Sequence, residues 1–253
     1  MKVTFLGTGT SQGIPVIGSN HPVCRSQNPK DKRLRVSALV EVDDLRILID
    51  CGPDFRQQML TNKVERIDAI LYTHEHSDHT AGLDDIRPYF FRQGDIPIYA
   101  HARVMASLQK RFDYIFASEN KYPGAPSVQE NLIENTSFTV KGIPVIPVEV
   151  MHNRVQVFGF RIRDFAYLTD AKTIAQAEAE KLKGVDVLVV NALRTEPHHS
   201  HFNLDEALEF IAKINPRRAY LTHISHNMGF HDEVQANLPE NVFLAYDNLQ
   251  IEI

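Results

Sequence analysis

The segment Thr73-His74-Glu75-His76-Ser77-Asp78-His79 places His74, His76, Asp78 and His79 within six residues. It follows the run DAILYT at 68–73, whose continuous apolar character indicates a strand buried on both faces. Four ligands so close in the chain are unlikely partners for one tetrahedral ion, whereas two pairs can serve two adjacent ions. Because histidine with carboxylate suits zinc and similar metals, the segment predicts a metal site on a loop between a strand and a helix.

The rest of the chain alternates blocks of strands with helix–strand units, twice over, which favours two β-sheets packed together with helices outside. Residues 113–135 are predicted to be irregular, either as a loop whose aromatic side chains pack on the core or as a lid over an active site. No Pro/Ser-rich linker interrupts the chain, so residues 1–253 are expected to form a single domain. The predicted strands and helices are as follows: strands at 3–7, 37–42, 46–50, 68–73, 137–150, 156–163, 165–169, 185–191, 218–223 and 242–247, and helices at 53–60, from about 78, at 101–112, at 173–184 and from 203. Capping-box patterns, Thr173 with Gln176 and Asn203 with Glu206, mark the starts of the last two helices.

The composition and the charge limit the classes of protein to which the chain can belong. The 253 residues are 43% hydrophobic and 23% charged, which is typical of a soluble globular protein. The net charge of −5 argues against a general nucleic-acid binder, although it does not exclude a local basic patch. Two cysteines cannot form a disulfide framework, and neither a signal peptide nor an apolar run of about 20 residues is present. We therefore expect a cytoplasmic protein that is not embedded in a membrane.

The ligand pattern extends well beyond the opening segment. The chain resembles the metallo-β-lactamase superfamily, whose signature His-x-His-x-Asp-His after a buried strand is matched at 74–79. The superfamily also has a His, an Asp and a His at later strand ends, which His152, Asp170 and His223 match. The resemblance implies an α/β fold, a four-layer αββα sandwich of two mixed sheets flanked by helices. It also implies two divalent ions, zinc by default with manganese or iron as alternatives: one held by His74, His76 and His152, the other by Asp78, His79 and His223, with Asp170 between them.

Three details bear on the reaction. Asp170 stands where several lactamases have a cysteine, and His201 precedes a helix as a histidine does in phosphodiesterase branches of the superfamily. The segments Gly7–Pro15 and Leu221–His226 resemble the phosphoribosyl cyclic phosphodiesterase branch. These likenesses imply that a metal-bridging hydroxide attacks a small phosphodiester, cyclic or nucleotide-like, with Asp78 and His201 in catalysis. Arg194 is a candidate substrate contact.

Alternatives remain open at this point. An RNA-processing nuclease related to the transfer-RNA 3′ endonucleases, or a thioester or lactone hydrolase, could use the same metal pair. The expected partner is a small phosphate-containing substrate; nucleic acid is not expected, and a homodimer is left open. Asp50 is predicted either to orient a metal-binding imidazole or to cap a helix.

A third metal site is also left open. Relatives often carry Cys-x-Cys-x-x-Cys after the Gly-rich opening, and with a later histidine this motif binds a structural zinc. Here the corresponding residues are Ser19, His21 and Cys24, followed by His226, so His21, Cys24 and His226 supply three ligands where a closed site needs four. Cys51 is expected to be a buried apolar residue, and the remaining histidines are expected to be background: His101, His198, His199 and His231.

Overall fold

The first of two seven-stranded β-sheets is built mainly from the N-terminal half of the chain. The computed structural model describes residues 1–253. The strand order is β14-β1-β2-β3-β4-β5-β6, antiparallel from β14 to β3 and parallel from β3 to β6. The strands are β1 (Lys2–Gly7), β2 (Ser37–Val42), β3 (Leu45–Ile49), β4 (Ala69–Leu71), β5 (Ile96–Ala100), β6 (Val128–Leu132) and β14 (Gln250–Glu252).

The second sheet follows the same design. Its order is β13-β12-β11-β10-β9-β8-β7, parallel from β13 to β10 and antiparallel from β10 to β7. The strands are β7 (Phe138–Val140), β8 (Ile143–His152), β9 (Val155–Ile162), β10 (Phe165–Tyr167), β11 (Val187–Asn191), β12 (Arg218–Thr222) and β13 (Val242–Leu244).

Helices cover the outer face of each sheet. A central core of 24 buried residues, among them Phe5, Ile47, Phe160 and Val189, draws on both sheets. A second core lies between the first sheet and the helices that cover it. A third core lies between the second sheet and the helices on its outer face. The helices are α1 (Pro22–Arg25), α2 (Phe55–Thr61), α3 (Ser77–Thr80), α4 (Arg87–Gln93), α5 (Ala102–Arg111), α6 (Asp113–Phe116), α7 (Gln176–Glu180), α8 (Leu204–Ile214) and α9 (His231–Gln235). The four layers confirm the predicted αββα sandwich.

Residues 113–135 are more regular than the sequence predicted. They contain α6 and the edge strand β6, which pairs in parallel with β5. Phe112, Tyr114 and Phe116 pack against the core beneath the first sheet. Of the two alternatives for this segment, the structure therefore bears out packing on the core.

Two other element boundaries were wrong. The single strand predicted over 137–150 is a hairpin, because Lys141 and Gly142 both adopt positive φ (46° and 91°) and turn β7 into β8. The helix predicted from 173 begins at Gln176, with Ala175 as its N-cap. Thr173 lies outside the helix, because its backbone N–H and carbonyl both pair with Met151 in an isolated β-bridge. No helix in the structure has the length and apolar character needed to cross a membrane.

Candidate metal centre

The predicted ligands come together at one edge of the sandwich. His74 follows β4 in the first sheet, while His152 ends β8, Asp170 follows β10 and His223 follows β12 in the second. These strands run in the same direction within each sheet, so their carboxyl ends meet at a common edge. The loop from Thr73 to Thr80 adds the remaining ligands to this edge.

His74, His76 and His152 are neighbours, although their ligand atoms do not all lie within 4.8 Å of one another; His74 is grouped that closely with His79 and Asp170. His74 Nε2 lies 3.0 Å from His76 Nδ1. The ring of His152 lies 5.3 Å from that of His76 and 6.1 Å from that of His74, between ring centroids. His152 Nδ1 lies 2.7 Å from the Ser200 carbonyl oxygen, an arrangement that fixes the ring and leaves Nε2 free for a ligand.

Asp78, His79 and His223 form the second group, with Asp170 beside it. Asp78 Oδ2 lies 3.2 Å from His79 Nε2 and 3.6 Å from His223 Nε2. Asp170 Oδ2 lies 3.3 Å from His79 Nε2, and its other oxygen lies 3.4 Å from His223 Nε2. Ligand atoms of Asp170 also lie within 4.8 Å of those of His74 and of His152. Its carboxylate therefore faces both groups, as the bridging position requires.

Asp50 orients the metal loop and does not cap a helix. Its Oδ2 lies 2.6 Å from His79 Nδ1, and its Oδ1 accepts a hydrogen bond from Thr73 N at 2.9 Å. Thr73 Oγ1 in turn lies 3.0 Å from His74 Nδ1. The cap position of α2 is occupied by Asp54. Of the two alternatives for Asp50, the orienting role is therefore correct.

Three residues at this edge adopt left-handed backbone conformations. The φ values are 61° for Asp50, 56° for Asp170 and 56° for His223, each at or just beyond the end of a strand. A residue with a side chain pays about 1–2 kcal/mol for this conformation, and such residues are concentrated at functional sites. The turn made here directs three side chains into one place, and nothing in the sequence signals it.

The charges and unpaired atoms of the site fit divalent cations. Burial raises the pKa of Asp170, but His223 and His79 outweigh it and hold that pKa well below its usual value. Burial lowers the pKa of His79, yet Asp78, Asp170 and Asp50 raise it well above the ordinary value. Both ring nitrogens of His223 and the Nε2 of His79 are buried without a hydrogen bond. Buried nitrogen atoms left unpaired beside ionised carboxylates suit a metal ion.

His201 adjoins the predicted ligands. Its Nε2 lies 2.9 Å from Asp170 Oδ1, and its ring lies 4.4 Å from that of His152 and 4.9 Å from that of His223. Ser200 Oγ, 3.1 Å from His201 Nδ1, holds the opposite side of the ring. His198 Nδ1 lies 3.2 Å from His201 Nδ1. His198, which was predicted to be background, therefore lies beside the site.

A cavity of about 470 Å³, separate from the metal-centre residues, is lined by Arg194 and by two of the candidate third-site residues, His21 and His226. The ring centroids of His21 and His226 are 4.9 Å apart. Cys24 Sγ is 3.5 Å from Val16 N, which donates to it, and Cys24 belongs to none of the groups of three ligand atoms within 4.8 Å of one another. The structure thus pairs the two histidines without bringing all three residues into one ligand group. Arg194 donates to the carbonyl oxygens of Glu196 and Pro197.

Residues outside the sequence prediction support the metal loop. Arg103 pairs with Glu75, and Arg111 donates to the Glu75 carbonyl at 3.1 Å and to Thr80 Oγ1 at 2.7 Å. Both arginines belong to α5, which is packed behind the loop. A helical arginine facing a distant acidic residue leaves no pattern in the sequence, so this pair could not have been found from it.

The fold and ligand arrangement have counterparts among known proteins. Residues 45–224 match the family model described as the beta-lactamase superfamily domain. A crystal structure of a diphosphatase from the PhnP family superimposes with a TM-score of 0.93 at 39% identity, covering 100% of this chain and 97% of that one. The chain belongs to the PhnP family of the metallo-β-lactamase superfamily. Members of this superfamily are metal-dependent hydrolases, and this chain is classed with them.

Two curated relatives widen the range of activities. A Porphyromonas gingivalis protein named octanoyltransferase is 40% identical over 253 residues, which are 99% of this chain and 51% of that protein. A ribonuclease Z of Bacillus subtilis is 27% identical over 173 residues, which are 65% of this chain and 49% of that enzyme. This PhnP-family chain spans about half the length of both, so their names describe longer proteins.

Proposed function

We propose that the protein hydrolyses a phosphoric ester bond in a small substrate, a phosphodiester that is cyclic or nucleotide-like, with the help of two divalent metal ions. The observation that carries this proposal is His201, a nearly buried imidazole placed against Asp170 in addition to the seven side chains that would hold the ions. An imidazole in this place can protonate the leaving oxygen of a phosphoester, whereas the thiolate that leaves a thioester does not need such an acid. The likeness to a PhnP-family diphosphatase supports the same class of bond.

The seven side chains would hold the ions in two groups. As the resemblance implies, His74, His76 and His152 would bind one. Asp78, His79 and His223 would bind the other, and Asp170 would contact both. When bound, divalent ions supply Lewis-acid activation of water and neutralise charge on the phosphoryl oxygens. Zinc is the default for such ligands, with manganese or iron as alternatives.

His201 would handle the proton of the leaving group. Its Nε2 faces Asp170, while Ser200 Oγ and His198 Nδ1 contact Nδ1, so the ring is held from both sides. An imidazole held this way can carry a proton at Nε2 and deliver it to the oxygen that departs from phosphorus. Its burial also keeps bulk water from competing for that proton.

A nuclease is the second candidate, favoured by the ribonuclease Z relative. Against it, the net charge is −5 and the sequence has no long basic arm. Nucleic-acid binding through phosphate contacts weakens steeply as salt rises. Titration with a structured precursor transfer RNA at two salt concentrations therefore separates the candidates, since salt-sensitive tight binding would favour the nuclease.

The test of the proposal combines metal analysis with a substrate panel. The panel contains a linear diester, a cyclic phosphate, a dinucleoside diphosphate, a thioester and a lactone, each assayed with zinc, manganese or iron. We expect the wild-type protein to bind two ions per chain and to turn over at least one phosphate substrate. Turnover confined to the acyl substrates would reject the proposal.

Replacing Asp78 tests the ligand assignment. Asp78→Ala should lose metal together with most phosphoesterase activity, because a carboxylate shared with His79 and His223 is removed. Asp85→Ala is the matched control, since Asp85 is exposed and makes no side-chain hydrogen bond. Metal content by mass spectrometry and turnover measure both effects; a variant that keeps both ions would contradict the assignment.

A further inference from the structure

A second cavity adjoins the candidate metal centre on the side of the Gly-rich opening. It has a volume of about 440 Å³, and Asp78 forms part of its wall. Across from Asp78 lie Ser11 and Gln12 from the opening, together with Arg35. The size is within the range of small-ligand sites, and Asp78 belongs both to the lining of the cavity and to the candidate metal centre.

Arg35 is the basic side chain of this cavity. Its Nε lies 2.9 Å from Asp54 Oδ2, and the same carboxylate oxygen accepts from Arg35 N at 2.7 Å. The two terminal nitrogens of the guanidinium make no hydrogen bond with the protein. Asp54 thus forms an ion pair with one end of the group without a well-aligned hydrogen bond to Nε, and the two terminal nitrogens remain as a free pair of donors. A planar pair of N–H donors matches two oxygens of a phosphoryl group.

The Gly-rich opening holds the cavity in shape. Gly9 N donates to the Leu34 carbonyl at 2.8 Å, and Ile14 and Arg33 exchange two backbone hydrogen bonds, each of 2.8 Å. A Cβ built on Gly13 would lie 3.6 Å from Arg35 Cδ, and Gly13 has a φ of 63°, so the turn runs directly along the arginine. These contacts suggest a structural role beside Arg35 for the Gly-rich opening, which matches neither the P-loop motif nor the dinucleotide-binding motif.

The remaining walls suit the rest of a phosphorylated molecule. The side chains of Ser11, Gln12 and Ser77 line the cavity and have no hydrogen-bond partner in the protein. Val16 and Ile17 form the apolar part of the rim, and Ile17 is 99% exposed. Donors beside a small apolar surface fit a phosphoryl group attached to a sugar or a ring.

We propose that this cavity binds the second phosphoryl group of a diphosphate-linked substrate, with Arg35 as the residue that selects such substrates over simple diesters. The inference rests on the proposed function, since the first phosphoryl group would lie at the metal centre. The bond broken would be the P–O–P anhydride bond of a phosphoryl group that carries two substituents, as in the proposed diester; water would supply the entering oxygen, and the second phosphate would remain on the departing fragment. Arg35 takes no part in bond breaking.

The test compares two substrates in the metal-loaded enzyme. Bis(4-nitrophenyl) phosphate has one phosphoryl group and diadenosine diphosphate has two. Arg35→Gln should raise the KM for diadenosine diphosphate by about 10- to 100-fold, at least tenfold more than it raises the KM for the simple diester, with metal content unchanged. Arg35→Lys, which keeps the charge but loses the planar donors, should give an intermediate rise.

A matched variant separates phosphate binding from a bracing role. Asp54→Asn removes the negative charge beside Arg35 but keeps a side-chain oxygen that can contact Arg35 N and Nε, so the guanidinium keeps its position and the KM for diadenosine diphosphate should stay within about threefold of wild type. If Asp54→Asn reproduces the effect of Arg35→Gln, Arg35 only braces the loop and the proposal is wrong. Equal changes for the two substrates would also reject it. If Arg35→Gln does not fold, Arg35→Lys and Asp54→Asn carry the same comparison.

The affinity for adenosine diphosphate, measured by calorimetry, distinguishes failure of the cavity proposal from failure of the proposed function. If wild-type protein cleaves no phosphate substrate, the proposed function falls, but Arg35-dependent binding of adenosine diphosphate would still support the cavity. If binding is equally tight in wild type and in Arg35→Gln, the cavity proposal falls, whatever the turnover.

Discussion

At the scale of single residues, His201 separates metal binding from turnover. Its Nε2 lies 2.9 Å from Asp170 Oδ1, and its ligand atom lies within 4.8 Å of those of Asp170 and His152, but the resemblance assigns it to neither group of metal ligands. His201→Ala should therefore keep both ions while lowering phosphoesterase kcat by roughly 10²–10⁴-fold, the usual contribution of a general acid or base. The measurement is steady-state kinetics together with metal content.

His199→Ala is the control for this experiment. His199 is two residues away in the chain and is exposed, so its removal should change kcat by less than about twofold. Full activity of His201→Ala would remove the role assigned to His201, and loss of metal from that variant would instead place it among the ligands.

The identity of the ligand residues could be predicted from the sequence, because ligand chemistry is fixed by residue type and by order along the chain. Their backbone geometry could not. The positive φ of Asp170 and of His223 leaves no signal, since neither residue is glycine. The sequence also did not indicate whether Asp50 orients an imidazole or caps a helix, because both roles require a carboxylate at the end of a strand.

At the scale of elements, the turn after β3 and the metal loop are joined by backbone contacts. Cys51 N donates to the His79 carbonyl at 2.8 Å, and Gly82 N donates to the Cys51 carbonyl at 2.9 Å. A Cβ on Gly52 would lie 2.1 Å from the Asp78 carbonyl oxygen. This steric clash could be relieved only by a movement of backbone atoms. The close approach therefore requires glycine.

Gly52→Ala should push the metal loop away from this turn. We expect a loss of about 1–3 kcal/mol in the free energy of unfolding, as for overpacked cores, and a fall of at least tenfold in metal affinity. Gly184→Ala is the control, since a Cβ there meets nothing within 4 Å and only its φ of 75° is unfavourable. Denaturant unfolding and competition with a chelator measure the two quantities. Unchanged metal affinity in Gly52→Ala would show that the contact does not position the loop.

The existence of most elements could be predicted, whereas several boundaries could not. The capping box of Asn203 and Glu206 is present as predicted, because both partners lie within one turn of the same helix. The similar pattern at Thr173 failed because Met151, distant in sequence, takes up its carbonyl. Strand β6 was missed for a related reason, since it is largely exposed and is defined by its pairing with β5.

At the scale of the whole molecule, a buried polar network joins the beginning of the chain to its end. Arg33 donates to Thr8 Oγ1 at 2.7 Å and lies 3.2 Å from His231 Nδ1, while Thr8 and Leu34 donate to the Asp247 carboxylate. Arg33 and His231 are each 3% exposed. His231 was expected to be background, and no sequence pattern reveals its contact with Arg33, because the two residues lie 198 positions apart in the chain.

This network makes the stability of the molecule depend on pH through two opposed groups. Burial, assisted by Arg33 and Lys30, lowers the pKa of His231 to about 4. Burial raises the pKa of Asp247 to about 6. Between about pH 4 and 6.5 the unfolded chain protonates His231 and the folded protein does not, so this group destabilises the fold as pH falls. Asp247 takes up its proton earlier in the folded state, so between about pH 4 and 6 it opposes that loss.

His231→Asn isolates the histidine contribution, because asparagine can still accept from Arg33 but does not titrate. The stability of wild type relative to this variant should fall by about 1–2 kcal/mol between pH 7 and pH 4.5. Denaturant unfolding at both pH values, with both proteins in the same metal state, measures the difference. His199→Asn is the control, because it makes the same substitution at an exposed position. If His231→Asn differs from wild type by the same amount at both pH values, His231 does not carry the acid sensitivity of the fold, and the remaining dependence on pH belongs to the carboxylates.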